Sequence, residues 1–257
     1  MDIRADRGGK RMAKVLIDGF RHEVGRHCES TAMRDMFEFY GHPITEAMAF
    51  GLDATMGFAF WDASSQENIF KDTYEGMVPF FIGGKSSSIS ENSLACRILG
   101  VIIKQETSDS ADKAWKISKE LINNNTPHII KTDMYYLPYS DTYEKFHFGG
   151  HTISLVGYDD DKDVAFMYDN ELINVFEVPI DLIMKARGST ECGRYMNPRN
   201  MWFTMTPRSD GKRPPLAAGL KLAIQQIVKN MLQTSLGSQG IGGIRKFGKS
   251  ISKWKDT

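Results

Sequence analysis

The sequence predicts an α+β fold: an N-terminal helix bearing a cysteine packed on a mostly antiparallel β-sheet, with a helical extension at the C-terminus. Three observations carry that expectation. Helical periodicity dominates before Pro127, while runs rich in β-branched and aromatic residues follow it. That order, helices first and strands after, differs from the alternation expected of βαβ units. With 257 residues, 41% hydrophobic and 25% charged, the chain can bury a full core as one large domain, alone or with an appendage.

The elements follow in order. Residues 1 to 11 read as a mobile basic lead-in. From Cys28 to Tyr40 the apolar positions Ala32, Met33, Met36, Phe37 and Tyr40 recur at helical spacing, and Gly41 and Pro43 supply a stop. Residues 51 to 93 are rich in Gly, Ser and aromatics, and "FIGGKSSSIS" reads as an irregular loop. "NSLACRILG" and "SADKAWKISKELINNN" read as helices, the second capped by Ser110 or Asp109. "HIIKTDMYYL", "HTISLVGYD" and "VAFMYDN" read as strands, "DLIMKARGS" as a short helix and "NMWFTMTP" as a final strand. "RSDGKRPPL" has Pro, Gly and charge with nothing to bury, so it reads as a linker. The boundaries are therefore a main domain over residues 12–207, then a linker and amphipathic helices over 208–257, which are open to reading as the start of a second helical domain. In the tail, Ile241, Ile244, Phe247, Ile251 and Trp254 share one helical stripe. Such a stripe suits a membrane surface or an acidic partner, and suits packing on its own domain more often.

Composition excludes several classes. Lys+Arg and Asp+Glu both total 32, so no charge excess points to nucleic acid. No apolar run approaches the roughly 18 residues that span a membrane, and the charged N-terminus lacks the core of a signal peptide. Cys28, Cys96 and Cys192 are too few and too far apart for a disulfide framework or a zinc motif, so a reducing cytoplasm is expected. His147 and His151 form an H-x₃-H pair, but two glycines separate them and a strand follows. No metal and no cofactor are expected, and "IGGKSSS" lacks the spacing of a phosphate-binding loop.

Cys28 stands at the first turn of its helix, where the macrodipole and free N–H groups favour a thiolate. A buried structural thiol explains that position equally well. Cys96, among Leu94, Ala95, Ile98 and Leu99, reads as core, and Cys192 as a loop cysteine. A nucleophilic thiol needs a base, and the base an orienting group. "HFGGHTISLVGYDDDKDVAFMYDN" offers both on one hairpin. With residue 160 at the centre of the turn, His151 faces Asp169, and opposed residues have Cβ atoms about 4.5–5.5 Å apart. Asn170 falls one residue out of step, toward the other face. A bulge would shift this register, so Asp169 is favoured and Asn170 is not excluded.

Cysteine on a helix N-terminus, then histidine starting a strand, then Asp or Asn ending the next strand, is the order of papain-like enzymes. The stretches "HCESTAMRDMFEFYG", "EAMAFGLDATMGFAF", "PFFIGGKS", "DMYYLPY", "HFGGHTISLVGYDD" and "ARGSTE…PRNMWF" make the chain resemble, more specifically, the family named after butirosin biosynthesis protein H. The resemblance implies a papain-like fold and an acyltransferase. The namesake moves an acyl group from the phosphopantetheine thioester of a carrier protein to the amine of an aminoglycoside. By motif, Cys28 is then the nucleophile, His151 the base and Asp169 the orienter. The implied partners are an acyl carrier protein, or another acyl-thioester donor, and a small-molecule amine. The oligomeric state stays open, a homo-oligomer included.

Papain-like enzymes commonly place an oxyanion-stabilising glutamine about six residues before the cysteine. Here His22 holds that place, as a candidate donor beside the Cys28 backbone N–H or as an ordinary surface histidine. Gly149 and Gly150 leave room for a substrate to approach the backbone, or form an ordinary turn. Tyr135 and Tyr136 in "DMYYLPY", with Asn170, are candidates to line a substrate pocket, although a core strand explains the tyrosines nearly as well. A papain-like peptidase or amidase uses the same three residues, so the motif alone does not separate hydrolysis from transfer. A non-catalytic binding module on the same fold leaves the three residues unexplained.

Overall fold

The computed structural model describes residues 14–62, 80–193, 196–234 and 236–251. The basic lead-in and Trp254 lie outside those residues. A seven-stranded antiparallel sheet organises the chain, in the order β4 (Val101–Glu106), β9 (Trp202–Pro207), β5 (His128–Thr132), β6 (His151–Asp159), β7 (Val164–Tyr168) and β8 (Phe176–Pro179). The short β1 (Lys14–Leu16) joins the far half of β6. Helices cover both faces. α1 (Cys28–Phe39), α2 (Glu46–Leu52) and α3 (Leu94–Leu99) pack on one, α4 (Ala111–Asn123) and α5 (Ile180–Gly188) on the other. Alternation along the strands feeds both layers: Ile129 and Phe203 join the α1 core, while Ile130 and Trp202 join the α4 core.

The cysteine helix forms where its periodicity places it. Ala32, Met33, Met36 and Phe37 are buried in the core, and a large apolar side chain so buried stabilises by about 1.5–3 kcal/mol. Gly41, at φ +85°, takes the left-handed turn that stops the helix, and the His42 N–H returns to the Phe37 carbonyl at 2.8 Å. Ser110 caps α4, its Oγ accepting from Lys113 N at 3.2 Å.

Beyond β1, α2 and β8, for which the sequence offers no expectation, three segments differ from the sequence reading. Phe80–Lys85, inside the segment read as a loop, is β3, which pairs with β2 (Met56–Asp62) in a separate hairpin. Packing overrides its two glycines, because Phe58 and Phe60 of β2 meet Phe247 of the C-terminal helix α7 (Gly240–Ile251). β4 was passed over, although its alternation is plain: Val101 and Ile103 are buried, Ile102 and Lys104 exposed. "DMYYL" does not continue a strand. The Asp133 carboxylate accepts from Tyr135 N at 3.1 Å and folds Met134–Tyr136 into a 3₁₀ turn. Beyond the Pro-rich segment, α6 (Leu216–Leu232) lies against α2 and α3, burying Gly219 and Ala223. No helix of the described residues is long and apolar enough to cross a membrane.

Candidate active site

Cys28 opens α1, and a carboxylate on the next helix fixes the turn before it. Glu46 Oε2 accepts from Arg26 N at 2.9 Å, while Oε1 accepts from His27 N, Ser30 Oγ and Thr31 Oγ1, each at 2.9 Å. His27 is the N-cap, its backbone extended and its Nδ1 accepting from Ser30 N at 3.3 Å. Burial, then the Lys85 charge, lowers the His27 pKa, which favours the neutral ring this acceptor role requires. Gly25 is needed here: a Cβ would lie 1.9 Å from Thr31 Oγ1. Its N–H donates to the Asn170 carbonyl at 2.8 Å, so the strand that ends near Asp169 also holds the approach to Cys28.

His151 is the first residue of β6. Its Nε2 lies 2.5 Å from Asp169 Oδ2, and its ring is close enough to the Cys28 thiol to lower the thiol pKa. With Nε2 committed to the carboxylate, Nδ1 is the nitrogen that serves the sulfur. The hairpin register explains why Asp169 reaches. Near the turn Asp159 pairs with Val164 and Gly157 with Phe166. Val156 is then an extra residue, and beyond it Leu155 pairs with Met167 and Ser154 with Tyr168. Without that bulge Asp169 would fall on the other face of the sheet. With it, Asp169 continues toward Ile153, one diagonal step from His151 on the same face. The sequence reading had the two directly opposed. The displacement is two residues, so the face is kept. Tyr139 completes the set, donating to Asp169 Oδ2 at 2.7 Å, and Asn170 N donates to Oδ1 at 2.7 Å.

The charges are coupled. Burial pushes the Cys28 thiol up, but the hydrogen bond and charge of His151 outweigh it, and the pKa falls below that of an ordinary cysteine. Burial lowers His151, yet the Asp169 carboxylate, with the thiol, raises it to about 10. Asp169 is itself held below the usual carboxylate range: burial works against this, and His151, Tyr139 and Asn170 N overcome it. The result favours a thiolate beside an imidazolium.

The sulfur opens into a cleft of about 960 Å³. Its lining includes Trp61, Phe81 and Ile82 of the β2–β3 hairpin, together with Gly149, Gly150 and Met196. Charge sits close to the nucleophile, where Lys85 Nζ is 2.5 Å from Glu29 Oε2 and Lys131 also lines the cavity. Gly149 and Gly150 both line the cleft, and a Cβ on Gly149 would sit 2.2 Å from the Met196 carbonyl.

Three other candidates lie elsewhere. His22 is buried against Asp35, Nδ1 to Oδ2 2.6 Å, and stacks on Tyr168 at 4.7 Å. Tyr135 stacks on His147 at 4.0 Å, with Tyr136 beside them. None of these, nor Asn170, is among the residues lining the cleft. His147 pairs with Asp133, Nδ1 to Oδ2 2.7 Å, rather than with His151. Sequence reasoning missed Glu46, Lys85, Tyr139 and the aromatic hairpin. The only signal for Tyr139 was its place at the end of "DMYYLPY", and Glu46 acts from a separate helix with no local signature.

Comparison with known proteins gives two family matches. The family described as butirosin biosynthesis protein H, N-terminal, matches residues 27–170, and a domain of unknown function (DUF4872) matches residues 182–257. The second match begins within α5 and includes β9, a strand inside the main sheet. No curated protein matches the chain. Among solved structures, a Bacillus anthracis protein described as a C39-like peptidase is 17% identical, over 76% of this chain and 98% of that one, with a TM-score of 0.46.

Proposed function

The chain belongs to the butirosin biosynthesis protein H N-terminal family, and on that premise we propose that it is a cysteine-dependent acyltransferase, moving an acyl group from a carrier-protein or CoA-type thioester to a small-molecule amine. The observation that carries the reading is the pairing of His151 with Asp169 beside Cys28, with Cys28 itself among the residues that line an open cleft. In this reading the Cys28 thiolate attacks the thioester carbonyl, and the tetrahedral intermediate expels the donor thiolate, which takes the imidazolium proton from His151. An amine then attacks acyl-Cys28, His151 accepts its proton, and Cys28 leaves as thiolate. Asp169 keeps the ring oriented and the imidazolium stabilised throughout. The first step exchanges one thioester for another and is nearly balanced; amide formation then drives transfer forward. No cofactor enters, since the acyl group arrives already activated, on phosphopantetheine. The Cys28 N–H at the helix start supplies one oxyanion donor. The reaction is assigned to the cytoplasm, where the thiol stays reduced, and to residues 12–207, with 208–257 as the appended helices.

The test is intact-protein mass after mixing with an acyl-thioester donor. An adduct should form, be lost under hydroxylamine and be absent from Cys28→Ala. A suitable amine should discharge it as an amide. Absence of an adduct, with cleavage of simple amides that added amines do not alter, would establish a hydrolase instead.

A further inference from the structure

We propose that Asp133, His147 and Cys192 bind a divalent transition cation of the Zn²⁺ class, at a site separate from the cysteine nucleophile. The three come from different segments: Asp133 follows β5, His147 lies in the loop before β6, and Cys192 in the loop after α5. Their ligand atoms all lie within 4.8 Å of one another. Carboxylate oxygen, imidazole nitrogen and thiolate sulfur together form a donor set suited to a borderline cation, and poorly suited to Mg²⁺ or Ca²⁺.

The carboxylate is oriented for this. Asp133 is fully buried, and its Oδ1 accepts from Phe148 N at 2.9 Å and Tyr135 N at 3.1 Å. Those two backbone donors hold it from behind, as outer-shell partners hold metal ligands. Oδ2 faces His147 Nδ1 at 2.7 Å and Ser189 Oγ at 2.6 Å, and the Cys192 sulfur lies within 4.8 Å of the carboxylate and imidazole ligand atoms. Tetrahedral coordination at about 2.0–2.3 Å spaces neighbouring ligand atoms about 3.3–3.7 Å apart, so the 2.7 Å carboxylate–imidazole gap must widen by about 0.6–0.8 Å. The Cys192 proton leaves to solvent as the ion binds, and His147 moves its ring proton to Nε2. Ser189 Oγ or a water fills the fourth position. The His147 side chain is 29% exposed, which gives an ion its way in.

The site lies behind the cleft. His147 leads directly into Phe148, Gly149 and Gly150, and Met196 and Asn197 follow Cys192 by a few residues; all five line the cavity. A bound ion would clamp these two segments together without touching Cys28. This inference does not depend on acyl transfer.

The test uses full-length, metal-stripped protein carrying Cys28→Ser, so that the nucleophile and His151 cannot offer a competing thiolate site. Titration with Co²⁺ should give one ion per chain and a thiolate-to-cobalt charge-transfer band, and Zn²⁺ should displace it. Adding Cys192→Ser should abolish the band, and adding His147→Gln should weaken binding about 10²-fold. Circular dichroism checks that both variants fold, and His147→Gln, at a partly exposed position, carries the test if Cys192→Ser does not. No band in the Cys28→Ser protein, or binding that survives the ligand substitutions, would overturn the site and leave a purely hydrogen-bonded fastener.

Discussion

At the scale of residues, the three cysteines are separated by environment more than by sequence. Burial lifts Cys96 and Cys192 to about 12 each, and Cys192 also faces the Asp133 carboxylate. Cys28 is half-buried, and desolvation raises it too, yet His151 brings it below the ordinary thiol, which titrates at about 8.5. Near neutral pH a soft electrophile should therefore label Cys28 and leave the other two largely untouched. Raising the pH through the ordinary thiol range should add less to the rate at Cys28 than at a free thiol, because its pKa is lowered. In His151→Ala the cost of burial is no longer opposed, so the midpoint of labelling against pH should move upward. Equal labelling of Cys192 by peptide mapping would refute this account. The same pairing sets the working range of the enzyme. Activity should fall on the acid side as the thiolate takes a proton, and on the alkaline side as His151 loses its own near pH 10. Asp169 should outrank its neighbour: Asp169→Ala should cost about 10²-fold or more in rate. Asn170→Ala should cost much less, since Asn170 bonds to Asp169 and Gly25 through its backbone. A larger loss for Asn170→Ala would reverse that ranking.

At the scale of elements, Glu46 shows what the sequence could not reveal. The positions of Cys28, His151 and Asp169 were legible because helix periodicity and a hairpin constrain them locally, while their roles came only from the family resemblance. The bulge at Val156 was not, since nothing in "TISLVGYD" marks one residue as extra; the site residue survives because the shift is even. The β2–β3 hairpin was hidden by its glycines, and its stability comes from a helix more than 150 residues later. Glu46 satisfies two backbone N–H groups and two hydroxyls around the start of α1. Its pKa is lowered: burial pushes it up, but these donors pull it further down. Glu46→Ala leaves the donors without their acceptor and frees the turn before the nucleophile. A displacement of about 1 Å at a reacting group can cost about 10²-fold. We expect kcat to fall by that order with a smaller change in KM, and Glu46→Gln, which keeps one oxygen acceptor, to recover part of the loss. If kcat and KM are both unchanged in Glu46→Ala, the carboxylate does not position Cys28.

At the scale of the whole molecule, the C-terminal helices are built into the core that carries the site. The sequence reading took residues 208–257 as a linker and an extension, because "RSDGKRPPL" has nothing to bury and the helices beyond it are amphipathic. In the fold, α6 supplies Ala223 to the α1 core, with Leu220 and Ile227 packed against it. The Asn230 side chain donates to the Ala54 carbonyl at 3.0 Å. α7 covers the hairpin that forms one wall of the cleft. A chain ending after Pro207 should expose Ile98, Phe58 and Phe60, and should unfold at lower temperature with reduced cooperativity. Truncation alone cannot distinguish lost packing from a damaged terminus, so a point substitution is the sharper probe. A Cβ on Gly219 would lie 2.5 Å from Ile98 Cγ2, closer than side chains tolerate. Gly219→Val should therefore cost about 1–3 kcal/mol by overpacking, at a position far in sequence from Cys28. If α6 belongs to the same cooperative unit as the sheet, denaturant unfolding of this variant should remain a single transition shifted to lower midpoint. In a Trp254→Phe background it should be followed alike by tryptophan fluorescence, then from Trp61, Trp115 and Trp202 of residues 12–207, and by helical circular dichroism. Two separated transitions, with the fluorescence midpoint unmoved, would make residues 208–257 an independent unit and leave the cleft wall standing without them.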